Sequence, residues 1–132
     1  MMPKPLPIQF QSVDLEALEA HTGRIAVFAE PGQPVGAGFR RLDRLTKGAL
    51  SRALASETFA KTRPGDGAEL AFPTGLSAEA VQLVRLPRKA DLTQARKAGS
   101  SIGRAHGAKG TLVLAEAHPR AADIAFGLAM RA

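Results

Sequence analysis

Residues 39–59 read FRRLDRLTKGALSRALASETF, and the placement of this stretch decides the fold. Projected at about 100° per residue, Phe39, Leu42, Leu45, Ala49, Leu50, Ala53 and Leu54 fall within one half of a helix circumference, and Arg40, Arg41, Arg44, Lys47 and Arg52 fall on the other. The spacing predicts one long helix with a core-facing stripe and a basic outer face. Asp43 precedes Lys47 in the favourable acid-first i,i+4 orientation, which adds roughly 0.2–0.5 kcal/mol to an isolated helix. Gly48 opposes it by about 1 kcal/mol relative to alanine, so burial of the stripe has to stabilise the helix more than propensity does.

On the N-terminal side of this helix, residues 24–29 (RIAVFA) form an apolar run bounded by glycine and by Glu30-Pro31-Gly32, as expected of a strand covered on both faces. A loop rich in proline and glycine, residues 31–38, leads into the helix, so strand, loop and helix suggest a crossover unit. Further upstream, Ile8 and Phe10 alternate with Gln9 and Gln11 like a half-buried strand. Asp14 is placed to cap a short helical turn through Leu15, Ala17 and Leu18, ended by Gly23. Downstream, 69–72 and 80–86 are strand candidates joined by a link too short for a parallel connection, which predicts an antiparallel pair and hence a mixed sheet. Asp91-Leu92-Thr93-Gln94 has capping-box spacing. The helix it starts runs to His106, with Leu92, Ala95, Gly99, Ile102, Gly103 and His106 on one face. Residues 111–115 (TLVLA) read as another buried strand, and Pro119 as the first position of a last helix carrying Ile124, Ala125 and Leu128 inward. The apolar period of that helix still runs at Ala132 with no stop signal, which suggests a chain cut from something longer.

With 132 residues the chain fits one domain, 1–132, with a real core. The absence of cysteine excludes disulfides, thiolate zinc sites and cysteine nucleophiles, and a reducing, cytoplasmic location is the simplest expectation. No apolar run approaches the ~20 residues of a bilayer crossing, so no membrane partner is expected. Eighteen Lys and Arg against twelve Asp and Glu give +6, enough to attract an acidic partner or simply to solubilise the surface. With six Phe and no Trp or Tyr, exposed stacking platforms for single-stranded nucleic acid are not in evidence.

Motifs that carry chemistry are scarce. There is no Walker pattern, and Gly32-Gln-Pro-Val-Gly36-Ala-Gly38 has the wrong spacing for a dinucleotide turn. His21, His106 and His118 lack partners at helix-ligand spacing and are expected to be structural. Ser100-Ser101 lie mid-helix without a nucleophile elbow. Glu16 and Glu19 are the nearest carboxylate pair and suit a solvated helix face. No catalytic, cofactor or metal residue is assigned, and Arg40, Arg44 and Lys47 are the one candidate face for an anion or nucleic acid.

The stretches RRLDRLTKGALSRAL, ELAFPTGLSAEAVQLVRL, ARKAGSSIGRA and AADIAFGLAMRA, in that order and spacing, resemble the N-terminal domain of bacterial leucyl aminopeptidases, the cytosol aminopeptidase family. The resemblance runs from about Ile8 to Ala132. It implies an α/β fold similar to macro domains, with three layers and a mixed, mostly parallel sheet between helices. It also implies a metalloexopeptidase of two domains assembling as a hexamer, whose C-terminal catalytic domain holds two divalent metals, zinc, manganese or magnesium. The family's Asn-Thr-Asp-Ala-Glu-Gly-Arg motif does not occur here, and two-metal hydrolysis needs ligands holding ions about 3.5–4 Å apart. The chain alone is therefore expected to be inactive, with assembly and active-site access as its role, and its own catalytic domain and a homo-hexamer as partners. The rival expectations are DNA contacts by the basic stripe and, by fold analogy alone, a macro-like site for ADP-ribose or a nucleotide.

Overall fold

A computed structural model describes residues 15–33, 36–87, 89–105, 111–114 and 124. A 3₁₀ turn, Leu15–Ala20, precedes β1 (Arg24–Ala29); α1 (Ala37–Leu45), α2 (Ala49–Leu54) and α3 (Glu57–Ala60) follow. Then come β2 (Gly67–Ala71), β3 (Ala80–Arg85), α4 (Leu92–Ala105) and β4 (Thr111–Leu114). The strands lie in the order β2-β3-β1-β4. β1 is parallel to β3 and β4, and β2 is antiparallel to β3 with Leu70 opposite Val81. The sheet is thus mixed and mostly parallel, as the short β2–β3 link requires.

The topology determines the layers. From β1 the chain crosses to β3 on one side, and from β3 it crosses back over β1 to β4. Right-handed crossovers in opposite directions put their helices on opposite faces. One core accordingly joins Ile25, Val27, Val81, Leu83 and Leu114 to Phe39, Leu42, Leu50 and Phe59 of α1–α3. The other joins Ala26, Val84 and Leu86 to Ala95, Ala98 and Ile102 of α4, and Ile124 is buried in the same cluster. The apolar run 24–29 is explained by β1 lying between these two cores.

The long helix expected over 39–59 is three short ones. α1 ends in a Schellman turn: Gly48 N–H donates to Asp43 O (2.7 Å) and Lys47 N–H to Arg44 O (3.2 Å). Lys47 and Gly48 both take left-handed φ, 57° and 84°, which glycine adopts freely and lysine does not. Buried Thr46 donates its hydroxyl to Leu42 O at 2.8 Å, closing the turn from inside. Gly48 then begins α2 with no side chain to cap it, and Asp43 supplies the missing acceptor, taking hydrogen bonds from Ser51 N–H (2.9 Å) and Oγ–H (2.6 Å). Asp43 therefore caps α2 across the bend instead of serving an i,i+4 pair with Lys47. A second break is made by Ser56, whose hydroxyl accepts from Phe59 N–H at the start of α3. Replacing Asp43 with alanine should cost about 1 kcal/mol, while Lys47→Ala should change stability by less than about 0.5 kcal/mol. Urea denaturation of the two variants reads this difference, and equal losses would restore the helical pair.

Other elements follow the sequence more closely. Asp91 and Gln94 form the expected capping box, with Gln94 N–H to Asp91 Oδ1 at 2.7 Å and Asp91 N–H to Gln94 Oε1 at 3.1 Å. Ala95, Gly99, Ile102 and Gly103 are buried as expected, whereas Leu92 is exposed. β2 begins at Gly67 and ends at Ala71, one residue before the expected end, since Phe72 has φ 46° and leaves the strand. Gly75 in the following turn has φ 88° and lies so close to Leu45 that an added Cβ would meet its carbonyl oxygen. The readings for residues 8–11, Asp14, His106, His118 and the last helix lie outside the described residues, apart from helical, buried Ile124.

Candidate functional site

Arg40 and Arg44 are exposed one turn apart on α1, and Lys47 is exposed just beyond its end. The bend at 46–48 removes Lys47 from the helical row, so the expected stripe is two arginines followed by a lysine on a left-handed turn. Arg52, from the same predicted face, donates to Lys47 O at 3.0 Å. Its guanidinium thus closes the bend. Among the described residues no ion pair joins Arg40, Arg44 or Lys47 to an acid.

In open α/β sheets ligands settle beyond the carboxyl ends of adjacent parallel strands whose crossovers diverge. Here those strands are β1 and β3, and the position is taken by the chain's own side chains. Glu30 follows β1 and Arg85 ends β3. Arg85 grips the carboxylate in a fork, Nε at 3.1 and 3.0 Å from Oε1 and Oε2 and Nη2 at 2.8 Å from Oε1. Its remaining nitrogen, Nη1, donates to the carbonyls of Ala60 (3.0 Å) and Thr62 (2.7 Å) at the end of α3. The hydrogen bond to Glu30 and its charge raise the Arg85 pKa above arginine's ordinary value, against the opposing effect of burial. With side-chain exposures of 22% and 14%, the pair is mostly withdrawn from water.

The surrounding turn is tied to the same point. Arg85 exchanges main-chain bonds with Gly65 and Asp66 (both 2.7 Å), Ser101 Oγ–H donates to Gly65 O (2.7 Å), and Lys97 pairs with Asp66 at 3.2 Å. Ser101 is thereby a structural fastener between α4 and the turn. The Glu30–Arg85 fork was missed in the sequence, where the only signal is an acid closing one apolar strand and a base closing another. Their partnership requires knowing that β1 and β3 are parallel neighbours.

His21 donates from Nε2 to Arg24 O at 3.0 Å, a local structural bond in keeping with its expected role. Arg24 reaches across the sheet to Glu69. Among the described residues no three of His, Cys, Asp and Glu converge where a metal ion could be held. Asp43 and Asp91 cap helices, and Glu30, Asp66 and Glu69 pair with arginine or lysine. No described helix is long and apolar enough to cross a membrane.

No protein-family model matches the chain. It is 53% identical over 131 residues to a protein of Cereibacter sphaeroides named probable cytosol aminopeptidase, an alignment covering 99% of this chain and 27% of that protein. A Dinoroseobacter shibae protein of the same name is 42% identical over 125 residues, covering 95% of this chain and 26% of the relative. The chain thus spans about a quarter of the length of each relative.

Proposed function

Because this chain is homologous along nearly its whole length to the N-terminal region of cytosol aminopeptidases, we propose that it is the non-catalytic N-terminal domain of a leucyl aminopeptidase. The parent would release N-terminal residues from peptides in the cytoplasm, using two divalent metals, zinc or manganese, held outside this domain. The domain's part is assembly of a homo-hexamer and control of access to the active sites. The observation that carries the reading is the 53% identity over 99% of the chain, set beside a match to only 27% of the relative.

The test is hydrolysis of a leucine chromogenic amide with added manganese. It compares this chain with a fusion carrying the remaining three quarters of the Cereibacter relative. Activity in the fusion and none above buffer in the 132 residues is expected. Turnover by the short chain would return its histidines and carboxylates to consideration as ligands.

A second reading rests on the exposure of Arg40, Arg44 and Lys47. If these three contact DNA phosphates, the slope of log affinity against log salt is about −2.7, or roughly a 40-fold loss between 50 and 200 mM salt. The triple alanine variant would flatten it. No binding of duplex at 50 mM salt removes this reading. The nucleotide reading has less support, because the strand ends that would receive a nucleotide are closed by Glu30 and Arg85. A thermal shift with millimolar ADP-ribose would reinstate it.

A further inference from the structure

Among the described residues, Lys47 and Phe72 are the two non-glycine residues with left-handed backbone, φ 57° and 46°. Bulky side chains are rare there, and strained residues of this kind concentrate where a ligand is held. Though far apart in sequence, the two are brought to one end of the sheet. The turn after Phe72 packs on the end of α1, where a Cβ added to Gly75 would overlap the carbonyl oxygen of Leu45. Arg44 is one residue before Leu45 and Lys47 two beyond it, and no more than about 11 Å of chain separates Phe72 from Gly75. Both strained positions are fixed by neighbours. Lys47 O accepts from Arg52 Nη1 at 3.0 Å, and Phe72 N–H donates to Glu79 O at 2.8 Å. Phe72 is 81% exposed. Arg44 and Lys47 are exposed cations, and among the described residues no ion pair joins them to an acid.

We propose that this end of the sheet binds single-stranded nucleic acid, with one base stacked on Phe72 and the adjoining phosphates on Arg44 and Lys47. Every base has an aromatic face, so an exposed ring beside cations takes up a strand with little regard for sequence. A duplex keeps its bases stacked within itself and offers none to the ring. A hydrophobic docking face would need more apolar surface than this end provides. The other large apolar side chain exposed among the described residues, Leu92, begins α4 beyond the carboxyl end of β3, whereas Phe72 lies beside Glu79 at its start. One ring is too little for a protein or lipid surface, but one ring is all that a single base requires. The proposal shares its cations with the phosphate reading above, adds the ring that separates a strand from a duplex, and does not depend on the aminopeptidase reading.

Fluorescence anisotropy of a short labelled oligothymidylate in about 50 mM salt, with the 132-residue chain titrated to about 1 mM, tests this. Saturable binding is expected. Phe72→Leu should weaken it about 5- to 150-fold, the range for one stacked base, and Phe72→Trp should restore it; at so exposed a position both should fold unchanged by circular dichroism. An abasic oligomer should bind the unsubstituted chain as weakly as oligothymidylate binds Phe72→Leu. Lys47→Gly, which suits the left-handed backbone, should make the salt slope shallower by about 0.7. Absence of binding at the highest concentration overturns the proposal, as does a Phe72→Leu protein that binds like the unsubstituted chain. If that protein also binds duplex as well as single strand, the phosphate reading stands and the stacking proposal falls. Uptake onto anionic lipid vesicles in place of the oligomer would assign this end to a membrane surface and equally overturn it.

Discussion

Replacing Phe59 with alanine should lower stability by about 3–5 kcal/mol, the range for truncating a fully buried aromatic. Phe59 has no exposed surface and, among the described residues, is the largest of the fully buried side chains. α3, which carries it, is one turn long and has little stability of its own. The ring packs in the core formed by β1, β3, α1 and α2, so its loss opens a cavity and also frees the turn that Arg85 holds. For a chain of this size the melting temperature should fall by about 10–20 °C. Phe72→Ala provides the contrast: the same residue type, exposed, should change stability by no more than about 0.5 kcal/mol. A Phe59→Ala protein within 1 kcal/mol of the parent would show that the helical layer over that face is dispensable.

Arg85→Ala should cost about 2–3 kcal/mol. Breaking a buried pair from one side costs roughly 3–5 kcal/mol, and the partial exposure of this pair lowers the figure. Two helix-end carbonyls, of Ala60 and Thr62, lose their charged donor in the same step. Arg85→Lys should recover less than half of the loss, since an ammonium cannot fork onto Glu30 and reach both carbonyls at once. Glu30→Gln combined with Arg85→Ala should be less destabilising than the sum of the two, because the stranded carboxylate is then neutral. Urea midpoints for the four proteins check this. Strict additivity would mean that the pair is not coupled.

These two residues show what kind of information each level held. The apolar positions of residues 39–59 predicted correctly that Phe39, Leu42 and Leu50 are buried, and the apolar run 24–29 that β1 is covered on both faces. The order and spacing of four stretches also carried a similarity to proteins named probable cytosol aminopeptidase, which runs along nearly the whole chain. The number of helices was not legible. A 3.6-residue period continues through a bend when the break, at Thr46 to Gly48, keeps the apolar side in phase, and Gly48 reads equally as a costly helix residue or as a left-handed turn.

By itself the sequence determined the strand and helix types, the Asp91–Gln94 cap, the mixed sheet and the two-sided core. Each follows from short-range spacing, solvent preference and connection length, which depend on neighbours in the chain. Only the tertiary structure decided that Asp43 caps α2 rather than pairing with Lys47, and that Glu30 and Arg85 close the strand ends. Those outcomes depend on which groups the sheet order brings within hydrogen-bond reach, and Glu30 and Arg85 meet only because β1 and β3 are parallel neighbours in register.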